Sequence, residues 1–253
     1  MQRVDLLLVN NALANTRTHA QRLIKNNKVT AFYKGTWQPV TKPGLKLDEH
    51  TEFKVETDDA DRFVSRGAFK LLAALEKQQL AVEGWIALDI GQSTGGFSDC
   101  LLQAGVSSVI GVEVGHSQLA EKLASDPRVL CYERVNAREL PSETLLKHSK
   151  QGGGFDLAVM DVSFISQLKI LPSLIPLIKD EGYLISLVKP QFEVGKEGIG
   201  RGGIVRDANL YPLVKTKVID CCESLGLQIC EYFESPIKGG DGNREFLLIA
   251  RKA

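Results

Sequence analysis

The feature that most constrains the fold is a series of short apolar runs separated by helical patterns. The runs occupy residues 85–90, 108–114, 155–161, 183–188, 227–233 and 245–250. Apolar residues at helical spacing lie between most of them, at residues 96–104, 117–124, 166–178 and 208–225. Apolar strands that alternate with helices are typical of a parallel sheet covered on both faces. The sequence therefore predicts a doubly wound α/β domain over residues 65–253.

The composition limits what else the chain contains. A chain of 253 residues with 43% hydrophobic and 25% charged residues suits this domain and one small additional unit. No run approaches the roughly 18 to 20 apolar residues that cross a bilayer, and the apolar run at residues 6–9 is too short for a secretory signal. We therefore expect a cytoplasmic protein without a membrane partner. The five cysteines lack metal-binding spacing, and we interpret them as reduced thiols in a protein without a metal site.

Charge is distributed unevenly along the chain. Residues 1–46 hold eight lysines and arginines against one aspartate, a net charge of +7, which leaves −7 for the remaining residues. A basic segment of this kind suits a polyanionic partner, although a solvated basic surface explains the count equally well.

Within this segment the pattern predicts a basic helix followed by a hairpin. Asn15 or Thr16 suits the N-cap, apolar residues then recur at helical spacing, and Asn26 and Asn27 suit a left-handed stop. Two short strands follow, around a turn at residues 34–35. This pattern resembles the α+β RNA-binding domain named after ribosomal protein S-four, over residues 1–56, with an acidic linker at residues 57–64. The candidate RNA contacts are Arg3, Arg17, Arg22, Lys25 and Lys28.

The stretch "LDIGQSTGGF" at residues 88–97 forms the turn after the first strand of the sheet, where doubly wound folds bind ligands. Its glycine spacing is G-x-x-x-G-G, which suits a nucleoside cofactor without phosphates, commonly S-adenosylmethionine, better than a dinucleotide. Glu113 ends the next strand, where a carboxylate can accept both hydrogen bonds of a ribose diol. A turn that needs glycine only for its geometry is the alternative. The candidate cofactor contacts are Asp89, Gly91, Ser93, Thr94, Gly95, Gly96, Phe97 and Glu113.

Four further stretches extend the pattern. They are "SRGAFKL" at residues 65–71, "MDVSFIS" at 160–166, "LVKPQFEVGKEGIGRGGIVRD" at 187–207 and "SPIKGGDGNREFLLI" at 235–249. With the glycine turn they resemble, in order and spacing, the hemolysin A (TlyA) family of ribosomal RNA 2′-O-methyltransferases, whose catalytic domain is a Rossmann-like domain of the FtsJ type. The resemblance implies S-adenosylmethionine as cofactor and a ribose 2′-hydroxyl, by resemblance that of a cytidine, in ribosomal RNA or ribosomal subunits as substrate.

The resemblance also implies a Lys-Asp-Lys-Glu catalytic tetrad, at Lys70, Asp161, Lys189 and Glu245. Lys189 is informative by itself, because packing does not explain a lysine that closes an apolar strand. As a general base it would need a pKa about two to three units below its usual ~10.4, whereas stabilisation of a developing alkoxide requires no such shift. Phe164 either stacks on the target base or packs in the core.

Two other functions stay open at this point. A non-catalytic ribosome-assembly factor could use the same fold, although no tetrad residue is missing. A membrane-active hemolysin is the other alternative, although the sequence contains neither a secretion signal nor a spanning segment.

Overall fold

The computed structural model describes residues 1–14, 16–56 and 61–253. These residues form two compact units, Met1–Arg62 and Phe63–Ala253, which we call the N-terminal unit and the C-terminal unit. The N-cap candidate Asn15 and residues 57–60 of the predicted linker lie outside the described residues.

The N-terminal unit is a small α+β structure. Its elements are β1 (Gln2–Arg3), α1 (Val4–Asn10), α2 (Arg17–Lys25), β2 (Val29–Tyr33), β3 (Thr36–Pro39), β4 (Lys46–Leu47) and β5 (Phe53–Val55). Strands β3, β2 and β5 form an antiparallel sheet in that order, and β1 pairs with β4. The predicted helix and hairpin are confirmed, because the Thr16 hydroxyl caps α2 and both Lys34 and Gly35 adopt the left-handed conformation that a tight hairpin turn needs.

The C-terminal unit contains a seven-stranded sheet in the order β11-β12-β10-β9-β6-β7-β8. Its elements are α3 (Ala68–Gln78), β6 (Ile86–Ile90), α4 (Gly96–Gln103), β7 (Ser108–Glu113), α5 (Glu121–Ala124), β8 (Val129–Glu133), α6 (Ser142–Leu146), β9 (Phe155–Met160), α7 (Leu171–Leu174), β10 (Ile178–Val188), α8 (Leu210–Ser224), β11 (Leu227–Glu234) and β12 (Phe246–Lys252). Buried apolar side chains form one cluster on each face of the sheet. The predicted Rossmann-like α/β class is confirmed.

One strand, β12, runs against its neighbours. It lies between β10 and β11 and pairs antiparallel with both, with Phe246 opposite Val188. Because β12 is reversed, its first residue lies at the same edge as the carboxyl ends of β9 and β10. This topology brings Asp161, Lys189 and Glu245 to one edge of the sheet.

Several elements of the C-terminal unit differ from the sequence prediction, among them helix α6, which was not predicted. Strand β8 was not predicted; it is a partly exposed edge strand whose apolar run is only four residues long, Val129 to Tyr132. The helix predicted at residues 166–178 is broken into short turns, with Pro172 and Pro176 at the starts of two of them. The helix predicted at 117–124 begins only at Glu121, because Ser117 has a left-handed backbone. Among the described residues, no helix combines the length and apolar character needed to cross a membrane.

Candidate active site

The glycine turn between β6 and α4 depends on two backbone positions. Gly91 has φ = +81°, and a Cβ atom there would lie 2.5 Å from the backbone oxygen of Asp161. Gly95 has φ = +91°, and a Cβ atom there would lie 2.2 Å from the side chain of Leu123. Only glycine fits at either position. The close approach of Gly91 to Asp161 places the turn directly beside the end of β9.

Two clefts open along this edge of the sheet. The larger has a volume of about 540 Å³ and includes Gly91, Ser93 and Glu113 of the predicted cofactor contacts. The smaller has a volume of about 180 Å³ and includes the other predicted contacts Thr94, Gly96 and Phe97. The residues that line both clefts are Gly91, Ser93, Asp161 and Ser163. The clefts therefore adjoin at the ends of β6 and β9.

The larger cleft has apolar walls with polar groups among them. Its apolar residues include Val112, Val135 and Ile170, and Gln118 and Asn136 add amide groups. None of these five was predicted from the sequence, because each lies in a segment without a motif. A cleft of this kind suits a flat apolar ring system with polar edges.

Glu113 is buried at the end of β7 and is held by backbone donors. Ser93 N donates to Oε2 at 2.9 Å, and Gly115 N donates to Oε1 at 2.7 Å. A carboxylate has about four lone-pair positions, so two hydrogen bonds leave acceptor capacity on both oxygens. The backbone bonds fix the carboxylate in the wall of the larger cleft.

Asp89, another predicted cofactor contact, lies under the turn and lines neither cleft. Its Oδ2 accepts a hydrogen bond of 2.7 Å from the Ser98 hydroxyl, to which the Gln92 amide donates at 2.7 Å. Burial raises the pKa of Asp89 to about 7, and the charges of Asp161 and Glu113 act in the same direction. The geometry favours a supporting role for Asp89. Gly95 likewise lines neither cleft and allows α5 to pack closely.

The four predicted catalytic residues form two ion pairs. Lys189 Nζ lies 2.5 Å from Asp161 Oδ1, and both side chains line the smaller cleft. Lys70 Nζ lies 2.6 Å from Glu245 Oε2, and their side chains are only 10% and 3% exposed. One pair therefore faces a cleft, and the other is closed off from solvent.

Lys189 has a further partner that the sequence did not reveal. Its ammonium donates a hydrogen bond of 2.9 Å to the Ser163 hydroxyl. An ammonium has three N–H donors, of which Ser163 takes one, and the contact with Asp161 is an ion pair, so donor capacity remains for another acceptor. "MDVSFIS" contains two serines, and only the fold distinguishes Ser163 from Ser166.

Phe164 follows Ser163 and points outward. Its side chain is 91% exposed, and its backbone has φ = +64°, which is strained for an aromatic residue. The ring lies 5.4 Å from that of Phe192, measured between centroids. The interpretation of Phe164 as a core residue is wrong. An exposed aromatic ring in a strained conformation beside the cleft suggests a ligand contact instead.

The glycine-rich segment after Lys189 is fastened to the loop that leads through Glu245 into β12. The buried Asn243 accepts a hydrogen bond from Val205 N at 3.1 Å and donates to Gly203 O at 3.0 Å. This asparagine lies two residues before Glu245. It therefore links the segment that follows Lys189 to the other ion pair.

Most of the predicted RNA contacts in the N-terminal unit pair with carboxylates. Arg3 and Arg17 both bind the fully buried Asp5, and the hydrogen bonds from Arg3 hold the pKa of Asp5 well below its usual range. Arg22 pairs with Asp61, and Lys28 pairs with Glu56 at 3.1 Å. Among the described residues, Lys25 of the five candidates is exposed without a carboxylate partner. Residues 1–62 hold ten basic and eight acidic residues, a net charge of only +2.

The sheet and its edge site define a Rossmann-like methyltransferase domain. The sequence model of the FtsJ-like methyltransferase family matches residues 63–252. The chain therefore belongs to the FtsJ-like methyltransferase family.

Three relatives show how far the similarity extends. The 16S/23S rRNA (cytidine-2′-O)-methyltransferase TlyA of Mycobacterium tuberculosis is 41% identical over 249 residues, which cover 98% of this chain and 89% of that protein. Hemolysin A of Brachyspira hyodysenteriae is 37% identical over 81% of this chain and 85% of that protein. The solved structure of a hemolysin from Streptococcus thermophilus is 40% identical, with a TM-score of 0.73, and the match covers 100% of this chain and 88% of that chain.

Proposed function

We propose that this protein transfers a methyl group from S-adenosylmethionine to the 2′-hydroxyl of a cytidine in ribosomal RNA. The observation that carries the proposal is the Lys189–Asp161 pair in a cleft that adjoins the glycine turn. The cytidine and the ribosomal substrate come from the similarity to TlyA of M. tuberculosis.

The larger cleft fits S-adenosylmethionine. Its apolar residues, Val112, Val135 and Ile170, would hold the adenine ring, and the spare acceptor positions of Glu113 would hold the ribose hydroxyls. Gly91 lines both clefts and packs directly against the backbone of Asp161, so the turn places the cofactor site beside the end of β9. When bound, the cofactor supplies an electrophilic methyl group on a sulfonium.

Lys189 acts on the acceptor hydroxyl. Asp161 forms an ion pair with the ammonium and the Ser163 hydroxyl accepts its hydrogen bond, so these two side chains orient it. The 2′-oxygen would form a bond to the methyl carbon as the sulfonium C–S bond breaks, and the hydroxyl proton would leave to solvent water. An N–H of Lys189 would donate to this oxygen as negative charge develops there. The contacts thus favour electrostatic stabilisation over proton abstraction as the role of Lys189. Asp161 holds the lysine, and the Lys70–Glu245 pair supports the same edge from within the protein.

The RNA contacts come from both units. In the N-terminal unit, the partly exposed Arg3, Arg17 and Arg22 and the exposed Lys25 would contact phosphates, as expected for an RNA-binding domain of the S-four type. In the C-terminal unit, the exposed ring of Phe164 would stack on the unpaired target base.

The test is a methylation assay with purified protein, labelled S-adenosylmethionine, and either free ribosomal RNA or ribosomal subunits. The expected product is a 2′-O-methylcytidine, mapped by its resistance to alkaline cleavage. Methylation of a base or of a protein would contradict the proposal. Absence of transfer from a cofactor that binds would favour the assembly-factor alternative, and dye leakage from liposomes without transfer would favour the hemolysin alternative.

A further inference from the structure

We propose that Glu193 is a positioning residue that locks the loop carrying Asp161, Ser163 and Phe164 against the loop carrying Lys189. The inference rests on the proposed function, because it assigns to Glu193 the alignment of that same site. Glu193 lies four residues after Lys189, outside the predicted tetrad, and its side chain takes no part in either cleft.

The contacts of Glu193 cross from one loop to the other. Its carboxylate is buried, with the residue only 7% exposed. Ser166 donates its hydroxyl to Oε2 at 2.6 Å, and the backbone N–H of Gln167 donates to Oε1 at 2.8 Å. Both donors follow β9, whereas Glu193 follows β10. Each oxygen of one carboxylate therefore binds the neighbouring loop.

A second buried bond fastens the same loop to strand β10. The hydroxyl of Ser186, inside β10, donates to Oε1 of Gln167 at 2.6 Å. Gln167 is thus bound through its backbone by Glu193 and through its side chain by Ser186. Residues 161–167 are then fixed at both ends, by the Asp161–Lys189 pair at the start and by Gln167 at the end. Ser163 and the left-handed Phe164 lie between these two attachments.

A buried carboxylate at position 193 is energetically unfavourable, so its presence there needs a structural reason. Burial raises the pKa of Glu193, which means that the folded environment disfavours the charge. The cationic side chains of Lys217 and Lys169 act in the opposite direction, and Tyr232 and Cys221 are the other titratable groups nearby. An apolar side chain would avoid this cost but would leave the Ser166 hydroxyl and the Gln167 amide without their acceptor. The need for two acceptor oxygens on one side chain explains why a glutamate occupies this position.

The experiment compares Glu193→Ala with Glu193→Gln in the full-length protein. Glutamine can still accept from Gln167 N and can donate to the Ser166 hydroxyl, so it keeps the loops joined. Alanine removes both bonds. Glu223→Ala, which removes an exposed carboxylate from α8, is the matched control. The readouts are kcat and KM for RNA methylation below the melting temperature, S-adenosylmethionine affinity by calorimetry, and amide hydrogen exchange of the peptide containing residues 162–168.

We expect Glu193→Ala to lower kcat at least tenfold, with cofactor affinity within threefold of wild type and faster exchange in residues 162–168. Glu193→Gln is expected to restore kcat to within threefold of wild type, because it keeps both bonds, and assays below the melting temperature of each variant separate this effect from a loss of folded protein. A kcat within twofold of wild type in Glu193→Ala would overturn the inference, and so would parallel loss of cofactor binding. If wild type transfers no methyl group but exchange still responds to Glu193→Ala, the proposed function fails and the loop-locking contact stands.

Discussion

The two units use buried charge in opposite ways. In the N-terminal unit, Asp5 accepts four hydrogen bonds from Arg3, Arg17 and Gln21, which we call the Asp5 cluster. In the C-terminal unit, the Lys189 ammonium pairs with Asp161 and donates one hydrogen bond, to Ser163, so not all of its N–H donors are used. A charged group whose hydrogen-bonding capacity is filled by the protein stabilises the fold. One that retains capacity beside a cleft can act on a ligand.

The comparison also shows why a count of basic residues overestimates the positive charge that is available to bind a polyanion. Residues 1–46 carry a net charge of +7, yet Arg3 and Arg17 are committed to Asp5. The exposed parts of their guanidinium groups can still contact phosphate, but Asp5 neutralises part of their positive charge. Under the proposed function, we therefore expect RNA binding by the N-terminal unit to depend on the Asp5 cluster as well as on the basic side chains themselves.

The largest effect is expected when the ammonium of Lys189, which keeps unused N–H donors beside the cleft, is removed. Lys189→Ala should lower kcat by on the order of 10² or more, as other losses of a single electrostatic or acid–base group do, with RNA and cofactor affinities within a few fold of wild type. Lys189→Arg keeps the charge but cannot act as a base near neutral pH. Near-normal turnover of the arginine variant would leave only the electrostatic role, and near-normal turnover of the alanine variant would contradict both roles.

The next largest effect concerns Asp5, whose carboxylate already accepts four hydrogen bonds within its own unit. Asp5→Ala should destabilise the N-terminal unit by about 2 to 4 kcal/mol, because it removes a buried acceptor of several charged hydrogen bonds. Urea unfolding, with Glu49→Ala as an exposed control, should show an earlier transition for this unit only. An unchanged transition would show that the Asp5 cluster does not hold the unit together.

The third prediction uses a buried carboxylate that lacks a cationic partner. The pKa of Asp89 is raised to about 7 in the folded state, so between about pH 4 and pH 7 the folded state holds a proton that the unfolded state has released. This contribution to stability is lost as the pH rises through that window. Asp89→Asn should therefore gain stability relative to wild type by on the order of 2 kcal/mol between pH 5 and pH 8. Parallel stability curves for the two proteins would contradict the assignment.

The smallest expected effect tests the hydrogen bond between Lys189 and Ser163. Ser163→Ala removes the hydrogen bond that orients the ammonium without removing its charge, and kcat should fall by about fivefold, close to the value of one hydrogen bond of ~1 kcal/mol. Ser163→Thr, which keeps the hydroxyl, should recover most of this loss. If alanine and threonine behave alike in steady-state kinetics, the hydroxyl does not orient Lys189.

Much of the C-terminal unit could be predicted because apolar strands and glycine turns leave local signatures. The strand ends that carry Asp161 and Lys189 lie within one residue of the predicted bounds. Edge strand β8 was missed, because its apolar run of four residues, Val129 to Tyr132, is short and lies between charged residues. The roles of Ser163 and Glu193 could not be predicted for another reason. Their roles depend on contacts between residues 26 or 27 positions apart, which no local pattern encodes.

The placement of β12 has a consequence for the order in which the molecule assembles. This strand follows β11 in the chain but lies between β10 and β11, so β11 has no partner in the sheet until β12 inserts. The same insertion delivers Glu245 to Lys70, a contact between residues 175 positions apart. Contacts of such long range form slowly, because the intervening chain must be ordered first. A folding chain can therefore build the glycine turn between β6 and α4 well before it completes the tetrad, so ligand binding should return earlier than activity during refolding.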